Sequence, residues 1–382
     1  MSQARNLEEQ ADQAAAAGHV AAARALLEQA VEAGAATSGQ WTKLSAMRRA
    51  SGDLSGAMTA LDQSLALSPL DFSALLGRAF VLETMGDPAA GQAFGNALAQ
   101  APVVGQLSDE LKPAVARARA RWSAHQDRLE QQLGAAMPAA LSSFETGQIR
   151  RLITNRSRRT RHYHQEPTDF HYPGMPEIEF HDRALFPALD ALEAQWEAIR
   201  AEFEAVVAAN AAEIVPYTQY PDRVPLRQWR ELNNSPKWSA IHLLQNGRRI
   251  DANTRHCPVT MAAIAKLPQP HIAGGSPNAM FSLLAPHTRI PAHTGVANTR
   301  LVCHLPLIVP PHCGFRVGDS RREWQPGKAF VFDDTIEHEA WNDSAQLRVV
   351  LIVDLWPPTL SDVERRALAD VIAAVGLSFS GI

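Results

Sequence analysis

The sequence predicts an α+β protein of two domains, with an all-helical N-terminal domain followed by a C-terminal domain of antiparallel strands. Residues 1–100 contain 26 alanines and only two of the 25 prolines. This composition favours helix, because alanine is the least and proline the most costly residue in a helix interior. Beyond about residue 215, β-branched, aromatic and proline residues become frequent together, which is typical of short strands and turns. We therefore expect domains at 1–145 and 146–382.

Composition and charge restrict the class of protein. The chain has 382 residues, of which 46% are hydrophobic and 20% charged, with a formal net charge of −4. Bulk charge does not favour nucleic-acid binding. The start of the sequence, Met1 to Gln10, does not resemble a secretory signal, and no apolar run reaches the roughly 18 residues of a membrane span. With three cysteines and no C-x-x-C pair, we expect a cytoplasmic protein that binds neither nucleic acid nor a membrane.

The helical domain contains an internal repeat. Gly18, Gly52 and Gly86 lie 34 residues apart, and a similar helical pattern follows each glycine, at His19–Val31, Asp53–Leu67 and Asp87–Ala99. This period resembles the tetratricopeptide repeat, in which paired helices stack. Residues from Leu107 to Leu141 are expected to cap the stack. Such a stack commonly binds a protein or peptide; a rigid spacer, a dimerisation unit or a plain alanine-rich bundle are the alternatives.

The region between the two patterns is irregular. The basic segment Thr154–Tyr163 is expected to be a linker or exposed loop. Apolar residues spaced three and four apart over Leu185–Val207 predict a long amphipathic helix. Four histidines cluster nearby, at positions 162, 164, 171 and 181. A solvated segment is the default interpretation of that cluster, and a second metal site is the alternative.

Short strands follow from Ala279 onward, and Pro, Gly and Asp clusters separate them. The β-rich runs are Met280–Leu284, Arg300–Val309, Lys328–Phe332 and Leu347–Leu355. Several short strands with turn signals at regular intervals suggest an antiparallel barrel or jelly roll.

Two histidines in this stretch are candidate metal ligands. His293 and His338 are 45 residues apart, far enough to lie on different strands of one barrel. Imidazole suits Fe(II), and oxygen chemistry needs open coordination positions. Gly295 stands where the usual facial triad has its carboxylate, so only two protein ligands are visible. An isolated histidine in a strand is more often a core residue than a ligand, and both interpretations stay open on these residues alone.

A candidate anion-binding residue lies in the last strand. Arg348 falls inside the apolar run Leu347–Leu355, where its guanidinium must reach solvent or pair with an anion. A dicarboxylate is one suitable partner. A structural ion pair with Asp333 or Asp354 is the other.

Taken together, these residues resemble a known family. The pattern consists, in order, of His293-Thr294-Gly295, Asn298-Thr299-Arg300-Leu301, His304-Leu305, Gly327-Lys328, Phe332-Asp333-Asp334, Glu337-His338-Glu339, Trp341 and Val353-Asp354-Leu355-Trp356. It is similar to the aspartyl/asparaginyl β-hydroxylases, which are Fe(II)- and 2-oxoglutarate-dependent oxygenases with a double-stranded β-helix (jelly-roll or cupin-like) core. The resemblance covers about residues 150–360 and is strongest over 280–357. Helical repeats before such a domain, and glycine in place of the third ligand, also occur in the family.

The resemblance implies roles for seven residues. His293 and His338 would bind Fe(II). Arg348 and Ser282 would bind the distal carboxylate of 2-oxoglutarate, and His304 would lie beside its iron-proximal carboxylate. Trp238 would line the same pocket, and Arg300 would face the substrate and could pair with a substrate carboxylate.

The resemblance also implies a reaction. The enzyme would use O2 to hydroxylate an unactivated C–H bond, with release of succinate and CO2. The expected target is the β-carbon of an Asp- or Asn-type residue in a peptide, protein or amino acid. Val302 replaces a second arginine of vertebrate-type members, and Pro225–Ser239 matches weakly, so the substrate could differ. Two alternatives remain: a halogenase that uses the open position at Gly295, and a non-catalytic adaptor that binds partners through its repeats.

Overall fold

The computed structural model describes residues 2–34, 36–103, 107–221, 223 and 225–375. The chain divides into two compact units, residues 1–160 and 161–382, which are described separately below. The sequence placed the domain boundary after residue 145. The division falls later because a helix that packs within the N-terminal unit, Ser143–Arg156, crosses that position. None of the described helices combines the length and apolar character needed to cross a membrane.

The N-terminal unit is built from antiparallel helices. They are α1 (Ser2–Ala16), α2 (Val20–Glu32), α3 (Ser38–Ala50), α4 (Leu54–Leu67), α5 (Phe72–Met85), α6 (Ala90–Leu98), α7 (Lys112–Gly134) and α8 (Ser143–Arg156). Consecutive helices pack in the pairs α1/α2, α3/α4 and α5/α6, and α7 then packs on α6. The expected long capping segment, Leu107–Leu141, is therefore mainly α7, and α8 occupies the start of the expected linker.

The 34-residue repeat is confirmed by the turns between paired helices. Gly18, Gly52 and Gly86 have φ of +78°, +83° and +70°, a left-handed conformation that strains residues with a Cβ. Each glycine thus ends one helix and allows the next to fold back on it. Ala23 and Ala57, five residues after the first two glycines, are completely buried, so small side chains let the helices approach closely.

The C-terminal unit contains two antiparallel sheets with helices on one side. Its helices are α9 (Leu189–Glu193), α10 (Trp196–Ala208), α11 (Asp251–Thr254), α12 (Pro258–Ile264) and α13 (Asp362–Val375). Its strands are β1 (Val215–Pro216), β2 (Trp238–Gln245), β3 (Arg248–Arg249), β4 (Ala279–Leu284), β5 (Thr288–His293), β6 (Leu301–Ile308), β7 (Cys313–Val317), β8 (Ser320–Arg322), β9 (Phe330–Phe332), β10 (His338–Asn342) and β11 (Arg348–Leu355). The larger sheet has the order β1-β2-β4-β11-β6-β9, with β3 paired to β2, and the smaller has the order β5-β10-β7-β8. Together they confirm the predicted double-stranded β-helix class.

Strand alternation gives the larger sheet two different faces. Along β11, Val349, Leu351 and Val353 point into a core that includes residues of α9, α10 and α12. Successive residues of a strand point to opposite faces, so Arg348, Val350, Ile352 and Asp354 all point the other way. Arg348, Ile352 and Asp354 line a cavity on that face.

The predicted helix over Leu185–Val207 is two helices rather than one. A break separates α9 from α10 at residues 194–195. Glu193, at the end of α9, accepts hydrogen bonds from the backbone N–H of Ala329 and from Arg183. Leu192 and Ile199 are nevertheless both completely buried, which explains why the apolar spacing persists across the break.

Candidate functional site

The two candidate metal ligands lie side by side on adjacent strands of the smaller sheet. β5 and β10 pair antiparallel, and His293 and His338 are direct partners in the register. Their ring centroids are 4.0 Å apart. Residues separated by 45 positions in the chain are thus brought side by side by a single strand pairing.

Backbone hydrogen bonds orient both rings. Nδ1 of His293 lies 2.8 Å from the carbonyl oxygen of Pro291, and Nδ1 of His338 lies 3.1 Å from that of Ile336. A neutral imidazole donates through one nitrogen only, so these bonds leave Nε2 as the lone-pair nitrogen of each ring. Burial lowers the pKa of His293 to about 3 and that of His338 to about 4. Both rings are therefore neutral at pH 7, the protonation state that metal binding requires.

A neighbouring side chain lies against Gly295, where the usual facial triad has its carboxylate. A Cβ on Gly295 would lie 2.2 Å from Oδ2 of Asp334. The N–H of Gly295 also donates to the carbonyl oxygen of Asp334 at 2.6 Å. Glycine is thus required here because the Asp334 carboxylate occupies the adjacent space.

Arg348 is a buried cation without a carboxylate partner. It is only 2% exposed, and among the described residues it takes part in no ion pair. Its Nη1 lies 3.5 Å from Oγ of Ser282, and its guanidinium lies 4.5 Å from the centre of the Trp324 ring. Desolvation lowers its pKa to about 9. The structural pairing with Asp333 or Asp354 that the sequence left open is not formed.

Arg300 is also buried, but unlike Arg348 it lies beside two carboxylates. Its Nη2 donates to Oδ2 of Asp334 at 2.9 Å, and its Nη1 lies 3.5 Å from Oδ1 of Asp354. These two carboxylates raise its pKa above the ordinary value. Arg300 was expected to pair with a carboxylate of the substrate. It lines the cavity, but its guanidinium pairs with two carboxylates of the protein itself.

Aromatic rings form one wall of the site. Trp238 stacks on Tyr217 with centroids 3.9 Å apart and an interplanar angle of 8°. Trp229 lies 5.0 Å from His293, edge to face. The indole N–H of Trp238 donates to Oγ of Ser282 at 3.2 Å, which links this wall to the surroundings of Arg348.

All seven residues singled out from the sequence line one cavity of about 360 Å³. Ser282, His304 and Arg348 share its face because they lie on the neighbouring strands β4, β6 and β11. His304 is buried with Nδ1 unpartnered, and its pKa lies well below the ordinary value because of desolvation and the nearby Arg348.

Sequence reasoning missed several other lining residues, including Tyr217, His242, Asp334 and Asp354. The sequence did contain a signal that could have placed Asp354 in the cavity. Asp354 lies six residues after Arg348 on the same strand, and residues an even number apart point to the same face. Asp334 belongs to the pattern that carries the family resemblance, but the sequence assigned it no role in the cavity. Tyr217 gave no signal, because it reaches the site from a segment outside the recognised pattern.

The fold and the site define a double-stranded β-helix domain with two adjacent histidines and a buried arginine without a carboxylate partner in one cavity. Residues 193–358 match the family model described as aspartyl/asparaginyl beta-hydroxylase. This segment thus resembles the aspartyl/asparaginyl β-hydroxylase family, and the resemblance noted in the sequence is confirmed.

Curated relatives support the same assignment. The ornithine lipid ester-linked acyl 2-hydroxylase of Rhizobium tropici is 35% identical over 199 residues, covering 51% of this chain and 66% of the relative. Human aspartyl/asparaginyl beta-hydroxylase is 32% identical over 179 residues, which cover 47% of this chain and 22% of the relative. Human aspartate beta-hydroxylase domain-containing protein 2 is 32% identical over 218 residues, covering 56% of each. The matched region thus spans less than two thirds of each relative.

Solved structures resemble separate parts of the chain. PcrH from Pseudomonas aeruginosa is 17% identical with a TM-score of 0.29, covering 33% of this chain and 92% of its own. A predicted oxalate decarboxylase from Thermotoga maritima is 12% identical with a TM-score of 0.21, and the match covers 31% of this chain and 81% of that structure. The fold described above follows from helix pairing and sheet register, independently of these likenesses.

Proposed function

We propose that this protein is an Fe(II)- and 2-oxoglutarate-dependent dioxygenase that hydroxylates an unactivated C–H bond. The observation that carries the proposal is the combination of neutral, paired His293 and His338 with the uncompensated cation of Arg348 in one cavity. A buried charge without a partner is costly. A dicarboxylate that chelates a metal at one end and pairs with Arg348 at the other accounts for both features.

The residues present fit this pair of ligands. His293 and His338 would hold Fe(II) through Nε2. Arg348 and Ser282 would hold the far carboxylate of 2-oxoglutarate, with Trp238 orienting Ser282 through its indole hydrogen bond. His304 would lie beside the carboxylate nearest the metal. When bound, Fe(II) and 2-oxoglutarate supply the activation of O2, with release of succinate and CO2. The protein contributes binding, orientation and a largely apolar, buried surrounding.

The surroundings of Gly295 favour hydroxylation over halogenation. A halide at that position would face the Asp334 carboxylate, which lies against Gly295. Asp334 is already paired with Arg300, so no protein cation there would help Fe(II) to hold a second anion. Like charges in close contact repel, whereas water can donate a hydrogen bond to the carboxylate.

We propose a peptide-like substrate with an Asp- or Asn-type side chain. Three amide side chains, besides that of Asn278, which bonds within the protein, also line the cavity: Gln219, Gln245 and Asn246. Amides both donate and accept hydrogen bonds, which suits a peptide backbone or a side-chain amide. Because Arg300 is paired internally, these amides rather than Arg300 would recognise the substrate.

A second candidate substrate is an acyl chain. The Rhizobium tropici relative is named as an acyl 2-hydroxylase, and the cavity includes the apolar side chains Met280, Ile290, Val302 and Ile352. An assay of 2-oxoglutarate turnover distinguishes the two candidate substrates, because it shows whether an Asn-containing peptide or an acyl lipid stimulates the reaction.

For the helical unit we propose a protein or peptide partner with acidic character. The Phe80 ring lies 5.7 Å from the guanidinium of Arg49 and 5.2 Å from that of Arg117. Glu83 pairs with both Arg117 and Arg121, which leaves positive charge in excess around an accessible aromatic ring. Fluorescence polarisation with an Asp/Glu-rich peptide, with Arg49→Ala as the variant, tests this. Equal binding of a Lys-rich peptide would contradict it.

The proposed activity can be tested by anaerobic visible absorption. Fe(II) is added to the purified chain, followed by 2-oxoglutarate, and a metal-to-ligand charge-transfer band is expected only after the second addition. His338→Ala and Arg348→Met should abolish the band. Arg289→Ala is the matched control, because Arg289 forms a surface ion pair with Asp343 on the same strand pairing and should leave the band unchanged.

A folded wild-type protein that binds iron yet gives no band would overturn the co-substrate assignment. In that case the adaptor alternative would be preferred. If the band forms, succinate release with candidate peptides and acyl lipids identifies the substrate class.

A further inference from the structure

Three metal-binding side chains meet outside the cavity, in the segment that precedes the two sheets. They are His162, His164 and Glu177. Nδ1 of His164 lies 3.1 Å from Oε2 of Glu177, and Nε2 of His162 lies 3.7 Å from the same oxygen. Within the described parts of the chain, this is the one trio of His, Cys, Asp or Glu side chains whose ligand atoms all lie within 4.8 Å of one another.

The local backbone explains why the two histidines are together. The segment around Tyr163 is extended, so side chains two positions apart point to the same side. Tyr163 points inward, where it packs against an apolar cluster between the sheets and lies under the guanidinium of Arg316 at 5.7 Å. His162 and His164 therefore share the outward side, with ring centroids 4.3 Å apart.

Glu177 is held opposite them by hydrogen bonds between two segments. The backbone N–H of Gln165 donates to Oε1 of Glu177 at 3.1 Å, and the Gln165 side chain donates to the carbonyl oxygen of Pro176 at 3.3 Å. The carboxylate is thus positioned before any ion binds, which lowers the cost of assembling a site.

We propose that His162, His164 and Glu177 form a second metal site, which binds Zn²⁺ or a similar divalent transition-metal ion. Tetrahedral Zn²⁺ with bonds of about 2.0–2.1 Å places neighbouring ligand atoms about 3.3–3.5 Å apart. The two histidine-to-carboxylate distances, 3.1 and 3.7 Å, lie on either side of this range, and all three ligand atoms lie within 4.8 Å of one another. Two imidazoles and one carboxylate are donors that Zn²⁺ accepts. The side chains are 56%, 66% and 32% exposed, so an ion can enter and water can complete the coordination.

The site adjoins the loops around the cavity. Gln165, the residue after His164, donates to Asp333 and accepts a hydrogen bond from Asn298 at 2.9 Å. Further along, the N–H of Thr168 donates to the carbonyl oxygen of Gly295 at 3.0 Å. An ion that ties residues 162–164 to Glu177 would therefore stabilise the segment against the loops that carry Gly295 and Asp333. We expect bound Zn²⁺ to raise the melting temperature.

Zinc titration of the full chain tests this site separately from the cavity. The protein is stripped with EDTA, dialysed, and titrated with Zn²⁺ by calorimetry, then with Co²⁺ by visible absorption. In the His293→Ala/His338→Ala background one Zn²⁺ site should remain, with a Co²⁺ spectrum typical of four- or five-coordination. Adding His162→Ala/His164→Ala should abolish it. Glu177→Gln should weaken binding by roughly tenfold or more.

His171→Ala is the matched control, since His171 is an exposed histidine of the same segment outside the trio, and it should leave binding unchanged. If the cavity variants do not fold, the wild type is compared with His162→Ala/His164→Ala, and the Zn²⁺ stoichiometry should fall from two to one. Retained stoichiometry in that variant, or no Zn²⁺ binding in the cavity variants, would overturn the proposal. The trio would then be a hydrogen-bonded chain from His162 through His164 to Glu177.

Discussion

Replacing the unpaired arginine of the cavity should make the ligand-free protein more stable while abolishing co-substrate binding. Burial lowers the pKa of Arg348 from 12.5 to about 9. At 1.36 kcal/mol for each tenfold change in acid dissociation, holding the charge at pH 7 costs the native state about 5 kcal/mol. This cost is complete below pH 9 and disappears as the pH rises from 9 towards 12.5, where the native residue loses its proton first.

Arg348→Met removes the charge and keeps much of the side-chain volume. Part of the gain is offset by the lost contact with Trp324, so we expect the free energy of unfolding to rise by about 1–4 kcal/mol, as for other buried charges replaced by apolar residues. Urea unfolding at pH 7 without ligand measures this change. Saturating 2-oxoglutarate with metal should stabilise the wild type by about 2.7 kcal/mol at 100 times Kd, and should not stabilise the variant.

Arg316→Met is the matched control, because Arg316 is a partly buried arginine that pairs with Glu337 and Glu339. Removing it should lower stability and leave stabilisation by 2-oxoglutarate intact. The reasoning is refuted if Arg348→Met is less stable than the wild type without ligand, or if the variant is still stabilised by 2-oxoglutarate.

Three further substitutions test the remaining features of the C-terminal unit. Arg300→Met should lower the free energy of unfolding by about 3–5 kcal/mol, because Asp334 and Asp354 would keep buried charges without their cation. Gly295→Ala should cost about 1–3 kcal/mol through overpacking, since the new methyl would contact the Asp334 carboxylate; urea unfolding measures both changes. His181→Phe should reduce acid sensitivity. Burial lowers the pKa of His181 to about 4, so between pH 6.5 and 4 the unfolded chain binds a proton that the native state excludes. The wild type should therefore lose about 3 kcal/mol more than the variant over this range, as measured by unfolding at pH 7 and pH 4.

Each of these substitutions has its own control. The control for Arg300→Met is Arg289→Met, which removes an exposed ion pair and should change stability by less than about 1 kcal/mol. A similar small loss in both variants would contradict the stabilising role of the ion pairs that Arg300 forms with Asp334 and Asp354. For Gly295→Ala, the substitution should cost less in an Asp334→Ala background than in the wild type, and no loss in the wild type would mean that the contact is absent. Equal acid sensitivity of His181→Phe and the wild type would show that His181 has the same pKa in the native and unfolded states.

Much of the fold could be predicted because its signals are local. The period of Gly18, Gly52 and Gly86 reflects a backbone requirement, since each turn needs positive φ, and glycine meets it whatever packs nearby. Apolar runs likewise located β4, β6, β9 and β11 of the larger sheet. Strands β5, β7 and β10 of the smaller sheet mix polar with apolar residues and were not distinguished from turns.

The sequence predicted which residues form the candidate site, but not how they pair with one another. His293, His338 and Arg348 were recognisable from an ordered pattern of residue types, because metal and anion binding demand those types. Their partners were not recognisable, since pairing depends on strand register. A one-residue shift between β5 and β10 would separate the histidines, and alternation along β11 decides that Arg348 and Asp354 share a face.

What the sequence determined by itself was the two-part architecture, the family resemblance and the identity of the chemical groups, because helix propensity, turn requirements and residue types act locally. Tertiary structure decided which charges compensate one another. It paired Arg300 with Asp334 and Asp354 and left Arg348 alone beside Ser282. It also brought Glu177 to His162 and His164. Both outcomes depend on distances between segments remote in the chain, and electrostatic interactions in a buried site are decided by those distances.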